Sequence, residues 1–137
     1  MAFEIRRADY YFTTIQNAPG EGHKIFSELA GQGVNLLAIT AVPIGPTRTQ
    51  LTLFPEDAGL FQTAGKRAGL TIDGPHPAIL VDGDDHVGVM AGILERLQRS
   101  NVDVYATHVI SEGEGRFGCV LYVRRDDIDR AMAALEP

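Results

Sequence analysis

Two short stretches carry most of the residues that could do chemistry, Asn17-Ala18-Pro19-Gly20-Glu21 and Asp84-Asp85-His86-Val87-Gly88-Val89. Each sets a carboxamide or carboxylate and a glycine ahead of an apolar stripe at helical spacing. The first amides of a helix lack an intrahelical acceptor and sit at its positive dipole end, so a ligand carboxylate is favoured there. Gly20 and Gly88 would remove side chains that block its approach. A ligand ammonium needs acceptors, for which Asn17, Asn35, Asp84, Asp85 and Asp103 are the candidates. The same residues also have a purely structural reading, with Asn17 and Asp85 as helix caps and the glycines as turn or helix–sheet packing residues. Both readings stand at this point.

Other chemistry is less well supplied. Asp82-Gly83-Asp84-Asp85 concentrates carboxylates but lacks the alternating ligands and closing glutamate of a calcium loop, so a solvated turn is expected and no metal. Of the four histidines, His23, His76, His86 and His108, none forms a recognised ligand pair. His86 and His108 could approach one cleft, as ligand contacts or, in a third reading, as the groups of a small enzyme. Ser27, Ser100 and Ser111 lack a nucleophile elbow, and no phosphate-binding glycine loop occurs. No catalytic constellation and no cofactor are therefore expected. Tyr10-Tyr11-Phe12 could stack on a ligand, although alternation on a strand sends its members to opposite faces and core packing is the default.

The charge balance narrows the partners. Twelve basic residues against eighteen acidic ones leave a formal net charge of −6, without a basic patch to attract phosphates. No nucleic-acid partner is expected. No apolar run reaches the ~18 residues of a membrane span, and Met1–Arg7 has no apolar signal core, so the expectation is a cytoplasmic protein without a membrane partner. The single cysteine, Cys119, falls in the apolar run Phe117–Val123 and reads as a buried strand residue.

The elements that must position these loops are written twice. Residue n matches residue n+68 without a gap, pairing Gly20 with Gly88, Ile25 with Ile93, Leu29 with Leu97, Val34 with Val102, Gly45 with Gly113, Arg48 with Arg116 and Leu53 with Leu121. In each copy a first strand (Ala8–Ile15, Ala78–Val81) precedes a helix marked by Ile25, Phe26, Leu29 and Ala30, or by Met90, Ile93, Leu94 and Leu97. Pro19 suits a first helical turn, and Gly33 and Asn101 suit left-handed geometry past the helix ends. Second strands are predicted over Val34–Val42 and Val102–Ile110, and third strands over Thr49–Phe54 and Phe117–Val123, joined by hairpins. Second helices carry Leu60, Phe61, Ala64 and Ala68, or Ile128, Met132 and Leu135. Leu70–Ile72 is the expected fourth strand of copy one. Copy two has none of its own, and Ala2–Arg7 is expected to cover that open edge.

The order strand, helix, strand, strand, helix, strand predicts an α+β fold of two ferredoxin-like βαββαβ modules, antiparallel sheets with helices packed on one face. The expected division is residues 1–72 and 78–137, with Asp73-Gly74-Pro75-His76-Pro77 as linker. Asn17-Ala18-Pro19-Gly20, then Ile25–Ala30, then Gly33-Val34-Asn35-Leu36, resembles the signature of ACT domains, the amino-acid-binding regulatory modules. Copy two keeps Asp85-His86-Val87-Gly88-Val89 and Asn101-Val102-Asp103-Val104 but lacks the proline. The resemblance implies an allosteric regulatory protein that binds an amino acid or similar metabolite near the first strand-to-helix loop, where modules meet. It implies contacts from Asn17–Glu21, Asn35, Leu36, Asp84–Val89 and Asp103, and assembly of chains as a homodimer. A ligand-independent accessory subunit docking on a metabolic enzyme is the alternative.

Overall fold

A computed structural model describes residues 3–136. Met1, Ala2 and Pro137 lie outside the described residues, and with them the outer limits of the expected modules and Ala2 of the expected edge-covering segment. The chain runs β1 (Phe3–Gln16), α1 (Glu21–Gly31), β2 (Leu36–Pro43), β3 (Arg48–Pro55), α2 (Ala58–Arg67), β4 (Asp73–Asp84), α3 (Val89–Arg99), β5 (Val104–Gly113), β6 (Arg116–Val123) and α4 (Ile128–Leu135). It divides into two units, one formed by Asp9–His76 and the other by residues up to Ala8 together with those from Pro77 onward.

Within Asp9–His76, neighbouring strands follow the order β2-β3-β1-β4, with β1 and β2 antiparallel to β3. Alternation sends Tyr11, Leu51 and Leu53 to the face on which α1 and α2 lie, where they pack with Ile25, Leu29, Phe61 and Ala64. Tyr11 meets Phe61 at 4.9 Å between ring centres and its hydroxyl accepts from Gln62 Nε2 at 2.8 Å. Tyr10 and Phe12 point the other way and cluster with His76, at 5.4 and 5.3 Å between ring centres. The aromatic run therefore splits between two faces, as strand alternation dictates.

In the second unit the order is β1-β4-β6-β5, and β6 is antiparallel to both β4 and β5. Ile79, Val81, Phe117, Cys119 and Leu121 face α3 and α4, which bury Ile93, Leu97, Ile128, Ala131 and Leu135 against them. The missing fourth strand comes from the N-terminal part of β1. Phe3 and Ile5 pack on this core, the Arg96 guanidinium lies 5.6 Å from the centre of the Phe3 ring, and Arg7 pairs with Asp129 at 3.6 Å. The expected covering of this edge by the residues just before the first strand is thus observed for Phe3–Arg7.

Other boundaries differ from the sequence reading. Leu70–Ile72, expected as a strand, is irregular; Leu70 and Ile72 instead pack on the first unit's core, and β4 starts at Asp73. The residues read as a linker begin β4, where Gly74 has φ +151° and a Cβ would come within 2.8 Å of the Tyr10 carbonyl oxygen. Only glycine fits so close to β1. Gly33 and Asn101 adopt the expected positive φ, 83° and 57°, just past α1 and α3.

Candidate functional site

The two first loops are built by the same backbone. Asn17 N–H donates to the Thr47 carbonyl at 2.7 Å, and Asp85 N–H to the Gly115 carbonyl at 2.8 Å, tying each loop to its hairpin. Glu21 N–H bonds Ala18 and Val89 N–H bonds His86; Lys24 N–H bonds Gly20 and Gly92 N–H bonds Gly88. Every donor and acceptor in these pairs is offset by the 68 residues of the sequence register.

This wiring corrects the expected caps. Asn17 and Asp85 are held as the last rungs beside the hairpins and cap neither helix; the N-cap residues are Gly20 and Gly88, with no side-chain cap bond at either. Pro19 likewise stands one residue before the N-cap rather than inside the helix. Gly20 and Gly88 have φ of +88° and +83°, and a Cβ on either would meet nothing within 4 Å. Packing therefore does not demand glycine here; the left-handed backbone does. Among the described residues the amides of Gly22 and His23, and of Met90 and Ala91, have no backbone acceptor, so each helix start keeps donors free for a ligand or water.

The side chains around these matched backbones differ. In the second unit Arg116 donates to Asp82 Oδ1 at 2.9 Å and to Asp84 Oδ1 at 3.2 Å, while Ser111 Oγ donates to Asp85 Oδ2 at 3.2 Å. One guanidinium is thereby held by two of these three carboxylates, and the third accepts from a hydroxyl. The counterparts of Arg116, Asp82 and Asp84 in the first unit are Arg48, Thr14 and Gln16, and Arg48, paired in the strand register with Gln16, has no side-chain partner among the described residues. Asn17, Ala18, Pro19 and Gly20 are exposed beside it, and Glu21 is half-buried.

Not every predicted site residue joins its loop. Gln16 pairs with Arg48 at one end of the first sheet, whereas Leu36 pairs with Pro55 at the other. The eleven residues of α1, at about 1.5 Å rise each, carry the chain ~16 Å between those ends. Asn35 and Leu36 therefore stand away from Asn17–Glu21 within their unit. Asn35 Nδ2 donates to Glu56 Oε2 at 3.2 Å, and at the equivalent positions Arg124 donates to Asp103 Oδ2 at 3.1 Å. Donor and acceptor have exchanged places, which preserves one strand-end clasp in both units. Leu36 packs on the first core and Val89 is buried in the second, whereas Val87 is fully exposed at the loop tip.

His86 Nδ1 lies 3.0 Å from the Val87 carbonyl oxygen, within its own loop. His108 sits on β5 opposite Val120, edge-on to Tyr122 at 6.2 Å between ring centres. Among the described residues no three His, Cys, Asp or Glu side chains are grouped to hold a metal ion. Burial pushes the Cys119 thiol up to about 12, so this one cysteine is an un-ionised core side chain. Among the described residues no helix is long and apolar enough to cross a membrane. The residue sequence reasoning did not single out is Arg48, which it used only to anchor the repeat; the signal was the replacement of two aspartates by Thr14 and Gln16 around a retained arginine.

No family model and no curated protein matches the sequence. Solved structures do match it in fold. A protein of Bacteroides thetaiotaomicron is 15% identical over 96% of this chain and 88% of its own, with a TM-score of 0.81. The ligand-free regulatory subunit of aspartate kinase from Thermus thermophilus is 18% identical over 97% and 92%, with a TM-score of 0.64. Aspartokinase III of E. coli, solved in complex with lysine and aspartate, is 17% identical over 98% of this chain but 32% of its own, with a TM-score of 0.54. The paired ferredoxin-like fold expected from the ACT resemblance is the fold observed.

Proposed function

We propose that this chain is an amino-acid-sensing regulatory protein rather than an enzyme, and that the loop Asn17–Glu21 receives the ligand. The observation that carries the reading is the contrast between two equivalent arginines. At the first loop an unpaired guanidinium, Arg48, stands beside a helix start with free amides, whereas at the second the same guanidinium is held by Asp82 and Asp84. A ligand carboxylate would take the amides and Arg48, and Glu21 or the Asn17 carboxamide would accept from its ammonium. The second loop, with Asp84, Asp85, His86, Val87 and Gly88, would bind weakly or not at all.

Support also comes from fold. One protein of this fold is a regulatory subunit of aspartate kinase and another was solved with lysine and aspartate. In this reading two chains pair as a homodimer, the ligand sits where modules meet, as the ACT resemblance implies, and the bound state is passed to a metabolic-enzyme partner. The ligand shifts the population only by its differential affinity for the two states.

The test is a thermal-shift series against the amino acids, since a ligand bound only by the folded chain raises the melting temperature with concentration. At a hundredfold excess over Kd the stabilisation is about 2.7 kcal/mol. Arg48→Gln is expected to abolish the shift produced by the best amino acid, and Arg116→Gln to leave it intact. No shift with any amino acid, or a shift that survives Arg48→Gln, would overturn the assignment.

A further inference from the structure

Arg48 and Arg116 are equivalent, and the second unit shows what such a guanidinium holds when carboxylates are within reach. Arg116 stands opposite Asp84 in the strand register and donates to Asp82 Oδ1 at 2.9 Å and to Asp84 Oδ1 at 3.2 Å. Arg48 stands opposite Gln16 in the same way, with Thr14 two residues along on the same sheet face. Those two side chains carry no charge, and among the described residues Arg48 has no side-chain partner. A second cation opens the helix. Lys24, in the first turn of α1, is exposed and likewise has no side-chain partner among the described residues, and helical side chains tilt toward the N-terminus, here toward Gly20 and Glu21.

The charged residues of Thr14–Lys24 and Ile44–Gln50 are therefore Lys24, Arg48 and Glu21, a local positive surplus in a chain of net charge −6. The equivalent stretches, Asp82–Gly92 and Glu112–Gly118, set Asp82, Asp84, Asp85, Glu112 and Glu114 against Arg116 alone. Exposed charges more than about 8 Å apart are largely screened at physiological salt, so the local surplus decides what the first loop attracts.

We propose that the first loop selects a dicarboxylic amino acid, aspartate or glutamate, whose side-chain carboxylate takes on Arg48 the place that Asp82 and Asp84 take on Arg116. The inference rests on the reading of Asn17–Glu21 as an amino-acid site and names the class that it takes. The α-carboxylate goes to the free amides of Gly22 and His23, and the α-ammonium to Glu21 or Asn17. A fork-to-fork bond from Arg48 engages both oxygens of one carboxylate, so a second carboxylate lets amides and guanidinium be satisfied together. Such a ligand carries a net charge of about −1 near neutral pH, which complements the surplus. A basic amino acid would bring its ammonium against Arg48, which like charge opposes. An amide side chain offers the guanidinium one neutral oxygen in place of two that share a charge.

Isothermal titration of the full chain with aspartate, glutamate, asparagine, glutamine and lysine tests this. One or both acids are expected to bind, with the matching amide at least about tenfold weaker and lysine weaker still. Thr14→Asp combined with Gln16→Asp copies the second unit's pair beside Arg48, and is expected to weaken the acid at least about tenfold by occupying the guanidinium. Both positions are exposed, and the comparison of acid with amide on the native chain needs no variant. An amide that matches its acid, or lysine that binds more tightly, would overturn the dicarboxylic class and leave Asn17–Glu21 as the site of another amino acid. Acid binding unchanged in the double variant would overturn Arg48 as the anchor. Binding by none of the five would overturn the class, and the thermal-shift series over the remaining amino acids decides whether the site falls with it.

Discussion

The loops at Asn17–Glu21 and Asp85–Val89 have the same backbone and opposite electrostatics. Each has a glycine at positive φ, each opens a helix without a side-chain cap, and each hangs from its hairpin by an equivalent backbone hydrogen bond. Around that frame the second unit supplies Asp82 and Asp84 to hold Arg116, and the first supplies Thr14 and Gln16, which cannot neutralise Arg48. Duplication preserves what backbone geometry requires; it leaves charge free to change, because an exposed ion pair contributes little to stability, about 0–1 kcal/mol. The cheapest residues to alter are thus the ones that decide whether a loop is open to a ligand.

The comparison can be broken most forcefully in the cores. Leu53 and Leu121 are equivalent and fully buried, so Leu53→Ala and Leu121→Ala are each expected to cost ~2–5 kcal/mol in urea unfolding. A cost in one unit several times that in the other would show that the repeat does not extend to energetics. Next come the loop glycines. Gly20→Val and Gly88→Val force a β-branched residue into the left-handed region at roughly 1–2 kcal/mol each, with matching losses of stability. Only Gly20→Val is expected to reduce the thermal shift produced by an amino acid. Equal loss of that shift in Gly88→Val would place ligand at both loops.

At neutral pH the smallest effect is at Cys119, whose counterpart is Leu51. Burial raises its thiol from 9.0 to about 12 in the folded chain, so the unfolded chain releases its proton first. Its contribution to stability is present below about pH 9 and falls as pH rises from there through about 12. Native protein should resist a thiol-alkylating reagent at neutral pH and react once unfolded. Rapid alkylation of native protein would contradict the buried placement.

Much of the fold follows from the sequence alone. The 68-residue register, the helical stripes around Ile25 and Ile93, the strand alternation through Leu53 and Leu121, and the turn residues Gly33 and Asn101 are local or periodic signals, and each element formed where they agree. What lies far apart in the chain was left to tertiary structure. Phe3–Ala8 completes the unit that starts at Pro77 because an open sheet edge and an unburied Phe3 and Ile5 satisfy one another, a pairing that no local signal encodes. Asn17 and Asp85 look like caps in sequence, yet bonds to Thr47 and Gly115 hold them at the strand ends. Asn35 stands near the first loop in sequence but at the far end of its sheet, because α1 carries the chain there. The difference between Arg48 and Arg116 needed both, since composition supplies the aspartates but only the antiparallel pairing of β4 with β6 sets Asp82 and Asp84 within reach of one guanidinium.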